Sequence, residues 1–125
     1  MSYVYLNLNP LRRNTNDCVI RAIALAMNMS WDDVYMDVAR MGKDLADNME
    51  ANSTWGTYLK RNGWIQEVLP DHCPECYTVQ DFCRDFPSGT YIVATGSHVL
   101  CIKDGAAYDT SDPKDEILTY YFRKK

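Results

Sequence analysis

The chain has 125 residues, a formal net charge of −4 and apolar side chains at 46% of its positions. That length suits one domain with a single modest core, and that apolar content argues against disorder. The acidic balance excludes a general nucleic-acid binder, which needs a basic face. No apolar run approaches the roughly 20 residues of a membrane span, so neither nucleic acid nor a membrane is expected as a partner.

In chain order, residues 1–13 read as an extended arm, with Val4, Leu6 and Leu8 alternating against Tyr5 and Asn7. The start lacks the charged and cleavable pattern of a signal peptide, so the expected location is cytoplasmic. A first helix is expected over residues 17–27, where Ile20, Ile23, Ala24 and Met27 form an apolar stripe. Ser30 should cap a second helix, with Asp32 and Asp33 in its first turn and Gly42 as its stop. Residues 43–52 are polar and ambiguous. A third helix is expected over residues 53–62, closed by Gly63 as a left-handed cap.

Residues 64–68 read as a strand, residues 70–76 as a loop, and Thr78 as the cap of a short helix reaching about Phe86. Strands are then expected near 90–95, 98–103, 106–110 and 117–123, with Asp104-Gly105 as a hairpin turn. Helices first and antiparallel strands last make an α+β fold. Trp55, Tyr58 and Trp64 read as core residues packing the third helix. Tyr120, Tyr121 and Phe122 alternate faces on the last strand.

The chemistry-bearing stretch is Asn14-Thr15-Asn16-Asp17-Cys18, which runs straight into the first helix. A helix start offers unpaired N–H groups and a partial positive charge, and both favour thiolate over thiol. A buried helical cysteine is usually inert, and Cys101 fits that description. The polar lead-in makes Cys18 a candidate nucleophile. His98 opens a strand and Asp109 closes the following one, so the chain order is nucleophile, base, orienting group.

If Asp104-Gly105 is a two-residue turn, Lys103 pairs with Ala106 and Leu100 faces Asp109. His98, Leu100, Asp109 and Ser111 then share one side of the ribbon, and His98 and Asp109 become diagonal neighbours. A slip of one residue would undo this. A lone histidine at a strand start is more often structural, and Asp109 has an ordinary strand-end reading. The Cys18 N–H, with a side-chain amide from Asn14 or Asn16, would hold an oxyanion; either asparagine could instead cap the helix. Asp17 opposes thiolate formation, so the helix and His98 must outweigh it.

The rival cluster is His72-Cys73-Pro74-Glu75-Cys76 with Cys83 further on. Cys-x-x-Cys is half of a zinc site, but no second spaced pair follows, and adjacent His72 and Cys73 are hard to place on one ion. Five cysteines in a reducing compartment do not default to disulfides. The expectation is loop and core thiols, with no metal and no cofactor.

With these residues in hand, the chain resembles the papain-like cysteine peptidase superfamily. It is most similar to bacteriocin-processing double-glycine peptidases and to small phage and gut-bacterial proteins of similar size. The matching pieces are Asn16-Asp17-Cys18 entering a helix, Gly96-Ser97-His98-Val99 entering a strand, and Tyr108-Asp109-Thr110 after a hairpin. The resemblance implies a papain-like domain over residues 1–125, a Cys18–His98–Asp109 triad, and a peptide, amide or small-molecule substrate. Those peptidases usually carry a glutamine six positions before the nucleophile and a small residue after it; here these are Arg12 and Val19. The alternative is therefore an inactive scaffold of phage type that binds or sequesters a small molecule or a host protein.

Overall fold

The computed structural model describes residues 2–69 and 76–125. The elements run β1 (Ser2–Tyr5), α1 (Cys18–Met27), α2 (Trp31–Leu45), α3 (Asn52–Arg61), β2 (Trp64–Val68), α4 (Val79–Asp85), β3 (Thr90–Thr95), β4 (Val99–Lys103), β5 (Ala106–Asp109) and β6 (Leu118–Lys124). The α+β class is as expected. Among the described residues no helix is long and apolar enough to cross a membrane.

Among the described residues, the six strands form one sheet in the order β1-β5-β4-β3-β6-β2. A purely C-terminal antiparallel sheet was the expectation, and it is corrected at both edges. β2, from mid-chain, pairs antiparallel with β6. β1, from the N-terminal arm, lies parallel to β5, with Ser2 opposite Ala106 and Tyr5 opposite Asp109. The sheet is therefore mixed. The physical reason is the free edge of β5, whose unpaired backbone groups an extended segment can satisfy. Sequence alternation marked residues 2–5 as extended but could not say which edge they would join.

The arm ends sooner than its alternation suggests. Asn9 Oδ1 accepts from the N–H groups of Leu11 (3.0 Å) and Arg13 (3.2 Å), and Arg12 takes a left-handed φ of 55°. This side-chain turn folds the chain back toward α1.

α1, α2 and α3 pack Ile20, Ile23, Val34, Val38, Trp55 and Leu59 against Ile92, Cys101 and Phe122. The neighbouring strand positions Val93, Leu100 and Ile102 pack instead with Val79, Phe82 and Cys83 of α4. Alternation along β3 and β4 thus supplies both cores. Cys101 and Cys83 are buried in them, and burial pushes the Cys101 thiol up to about 12.

Local signals explain most boundaries. Ser30 Oγ accepts from the Asp33 N–H, and Thr78 with Asp81 forms a reciprocal capping box. Gly63 has φ +86° just past α3, as its cap role requires. Gly42 is a correction, because α2 continues through it to Leu45 and turns at Ala46. A Cβ on Gly42 would sit 3.0 Å from the Asp47 carbonyl oxygen and 3.2 Å from Met49 Cα. The glycine permits close approach of the following loop rather than ending the helix.

The hairpin of β4 and β5 has the expected register, with Lys103 opposite Ala106 and Cys101 opposite Tyr108. Asp104 and Gly105 have φ of 50° and 75°, both left-handed, as a tight two-residue turn demands. Between β3 and β4, the Thr95 N–H donates to the His98 carbonyl at 2.8 Å. That bond fixes the backbone of His98 directly before its strand.

Candidate functional site

Cys18 is the first residue of α1, so its N–H is one of the helix's orphan donors. The open end of the β4–β5 hairpin, away from its turn, brings the other two groups to it. His98 Nε2 meets Asp109 Oδ2 at 2.5 Å, which leaves Nδ1 as the ring nitrogen for Cys18. The His98 ring and the Val99 N–H both act on the Cys18 sulfur and favour its ionised form. The fold thus brings Cys18, His98 and Asp109 to one place.

The route differs in one respect. Leu100 packs with α4, whereas Cys18 packs in the core on the α1 side. His98 stands one residue outside β4 and Asp109 is the last residue of β5. Both sit where the pleat ends, and there the side chains can turn toward α1. Asp109 is held in place by its backbone as well: the Leu6 N–H donates to its carbonyl at 3.0 Å, an extension of the β1 pairing.

The electrostatics favour an ion pair. Burial opposes ionisation of Cys18, but the His98 hydrogen bond, the Val99 N–H and the nearby charges of His98 and Arg21 outweigh it and lower its pKa. His98 is raised to about 10, first by its hydrogen bond to Asp109 and then by that to Cys18, against burial. Burial also opposes the charge on Asp109, but His98, the Thr110 N–H and Arg21 hold the carboxyl below its ordinary range. The two shifts run in opposite directions, and both favour the thiolate–imidazolium form of the pair.

Sequence reasoning missed three residues here: Arg21, Asn9 and Trp31. Arg21 Nε donates to Asp17 Oδ1 at 2.8 Å, and its Nη1 to Asp109 Oδ1 at 3.3 Å. Asp17 Oδ2 accepts from Asn9 Nδ2 at 3.1 Å and Trp31 Nε1 at 3.0 Å. Asp17 was expected to oppose the thiolate from the helix start. Instead it is 7% exposed and neutralised by Arg21 one turn on. The available signal was the spacing of Asp17 and Arg21, four apart on one helix.

A cavity of about 290 Å³ opens over Cys18 and His98, walled by Asn16, Tyr35, Glu50 and Tyr120 among others. Asn16 is exposed at its rim, and neither its amide nor the Cys18 N–H makes a hydrogen bond among the described residues. Asn14 is placed elsewhere, in a depression with Tyr5, Asn7, Arg12 and Thr110. Of the two candidate asparagines, the structure brings only Asn16 to Cys18, and Arg12 lies with Asn14 away from the sulfur.

Among the described residues no three His, Cys, Asp or Glu side chains are grouped to hold a metal ion. His72 and Cys73 of the rival cluster lie outside the described residues. Cys83 is buried against Val79 and Phe82. Comparison with protein-family models, with curated proteins and with solved structures gave no match.

Proposed function

We propose that this chain is a cysteine hydrolase of papain-like type, acting on a peptide or other amide. The observation that carries the reading is His98, hydrogen-bonded through Nε2 to Asp109 at 2.5 Å and lining one cavity with Cys18, which stands at a helix start. The thiolate attacks the substrate carbonyl carbon. The oxyanion that forms is met by the Cys18 N–H and the Asn16 amide. The His98 imidazolium gives its Nδ1 proton to the leaving nitrogen, the C–N bond breaks, and a thioester remains on Cys18. Water then attacks the thioester while His98 takes its proton. Collapse releases the acid and restores the ion pair. Asp109 keeps the ring oriented and its charge compensated throughout.

The test is pH-dependent alkylation of the native protein by iodoacetamide, with the modified site identified by mass. Cys18 should react faster than the other thiols and keep reacting below neutral pH. A Cys18 that titrates like an ordinary thiol, or is protected while others react, would overturn the reading.

One observation favours a second reading. Arg12 occupies the position where the resembling peptidases usually carry glutamine, and it lines a different depression from Cys18. On that basis the fold could serve as a scaffold that binds a ligand without cutting it. Cys18→Ala separates the two: loss of function at unchanged melting temperature supports hydrolysis, and retained function supports binding.

A further inference from the structure

We infer that Arg21 is a positioning residue for the triad, holding Asp109 through a buried relay anchored at Asp17. The inference rests on the hydrolase reading above. Arg21 lies one turn along α1 from Cys18, with a side chain 11% exposed. Its guanidinium spans two carboxylates from different parts of the fold, Asp17 at the head of α1 and Asp109 at the end of β5. Only a planar fork with several donors can do this without moving; a lysine ammonium is a single point of charge.

The partners on each side divide the work. Asp17 is itself fixed by Asn9 from the N-terminal turn and by Trp31 from the start of α2. Its carboxylate is therefore an anchor rather than a free charge. At the other end, Asp109 Oδ1 accepts from Arg21 Nη1 and, at 2.7 Å, from the Thr110 N–H, while Oδ2 is left for His98. Three donors on two oxygens set the rotation of the carboxylate, and that rotation sets the plane of the imidazole facing Cys18. Arg21 also ties α1, which carries the nucleophile, to β5, which carries the orienting group. A direct bond between those two elements keeps the nucleophile and the base at fixed separation.

Removing Arg21 alone would strand Asp17 in a buried place, so loss of folding would be ambiguous. The pair Asp17→Asn/Arg21→Met removes one negative and one positive charge together. It is compared with wild type, with Asp109→Asn, and with the triple variant, by the pH profile of Cys18 alkylation with iodoacetamide. Arg21→Lys gives a second, milder perturbation should the pair fail to fold, as judged by near-ultraviolet circular dichroism.

If Arg21 acts through Asp109, the pair shifts the acid limb of the profile up by about one pH unit, which is about tenfold less reaction at any pH on that limb. The triple variant then matches Asp109→Asn alone, and Arg21→Lys shifts in the same direction by less. A pair or a lysine variant with the wild-type profile would make Arg21 merely structural and overturn the inference. A triple variant shifted beyond Asp109→Asn would overturn it too, because Arg21 would then be acting directly on the thiol. An ordinary thiol profile in the wild-type protein itself would sink the hydrolase reading first, and this inference with it.

Discussion

Asp109→Asn is the change whose consequence the site geometry states most completely. The carboxylate accepts from His98, Arg21 and the Thr110 N–H, and its side chain is 1% exposed. An amide keeps one acceptor oxygen, which the Arg21 and Thr110 donors will take. Its NH2 then faces His98 Nε2, which must become an acceptor and give up its proton. The largest influence raising His98 to about 10 is lost, while burial still disfavours the charge. The ring should fall to or below the ordinary histidine value of roughly 6.5. Cys18 loses its counter-ion and rises toward the ordinary thiol value of roughly 8.5, at which only about 3% is thiolate at pH 7. Alkylation of Cys18 should therefore drop by about tenfold or more at pH 6.5 and recover near pH 9. The stability profile changes in step. In the wild type the raised His98 contributes stability that is fully present below about pH 6.5. It is lost as pH rises toward its folded value of about 10. In the variant that alkaline loss should flatten. Asp109 itself has a depressed folded pKa, so its contribution vanishes as pH falls through that value; the variant should lose this acid sensitivity as well. Initial rates and melting temperatures from pH 4 to 10, on one preparation, read both effects. An unchanged alkylation profile in folded Asp109→Asn would refute the triad.

Gly42→Ala should destabilise despite gaining helix propensity. The gain is about 1 kcal/mol, but the new methyl meets backbone atoms of Asp47 and Met49 at 3.0–3.2 Å, an overpacking cost of about 1–3 kcal/mol. A melting temperature lower by about 4 °C is expected, and an increase would show that the loop simply shifts aside. Because Met49 and Glu50 wall the cavity over Cys18, alkylation by a bulky reagent should change more than by iodoacetamide. Elemental analysis of protein purified without added metal should give well under one zinc per chain, with melting unaffected by chelator. Stoichiometric zinc with a large chelator-induced drop would instead make Cys73 and Cys76 part of a structural site.

Local chemistry was legible where a single residue type settles a conformation. Asp104-Gly105 specified a tight turn, and the turn specified the register that makes His98 and Asp109 neighbours. Ser30 and Thr78 announced helix starts through their side-chain caps. What stayed hidden depends on contacts between distant segments. Nothing in residues 2–5 distinguishes the β5 edge from the β2 edge, because an edge accepts any extended backbone. Gly42 reads as a stop in one dimension, and only the returning loop shows that it is there for clearance. Asn14 and Asn16 are equivalent by composition. The Asn9 turn and the left-handed Arg12 separate them by sending Asn14 to another depression.

The charged residues around Cys18 make sense only as a set. Asp17 by itself would disfavour a thiolate at the head of α1, and Asp109 by itself would be a costly buried carboxylate. Arg21 compensates the first, shares the second with His98, and leaves the imidazolium as the counter-charge closest to the sulfur. Counted as ions, Asp17, Asp109 and Cys18 carry three negative charges against the two positive charges of Arg21 and His98. The excess is a single negative charge, and the orphan N–H groups at the start of α1 are the feature best placed to meet it. In the proposed reaction a developing oxyanion would move that charge from the sulfur to an oxygen near the same N–H groups and the Asn16 amide. Little of the buried network has to reorganise for that transfer, because every other charge already has its partner.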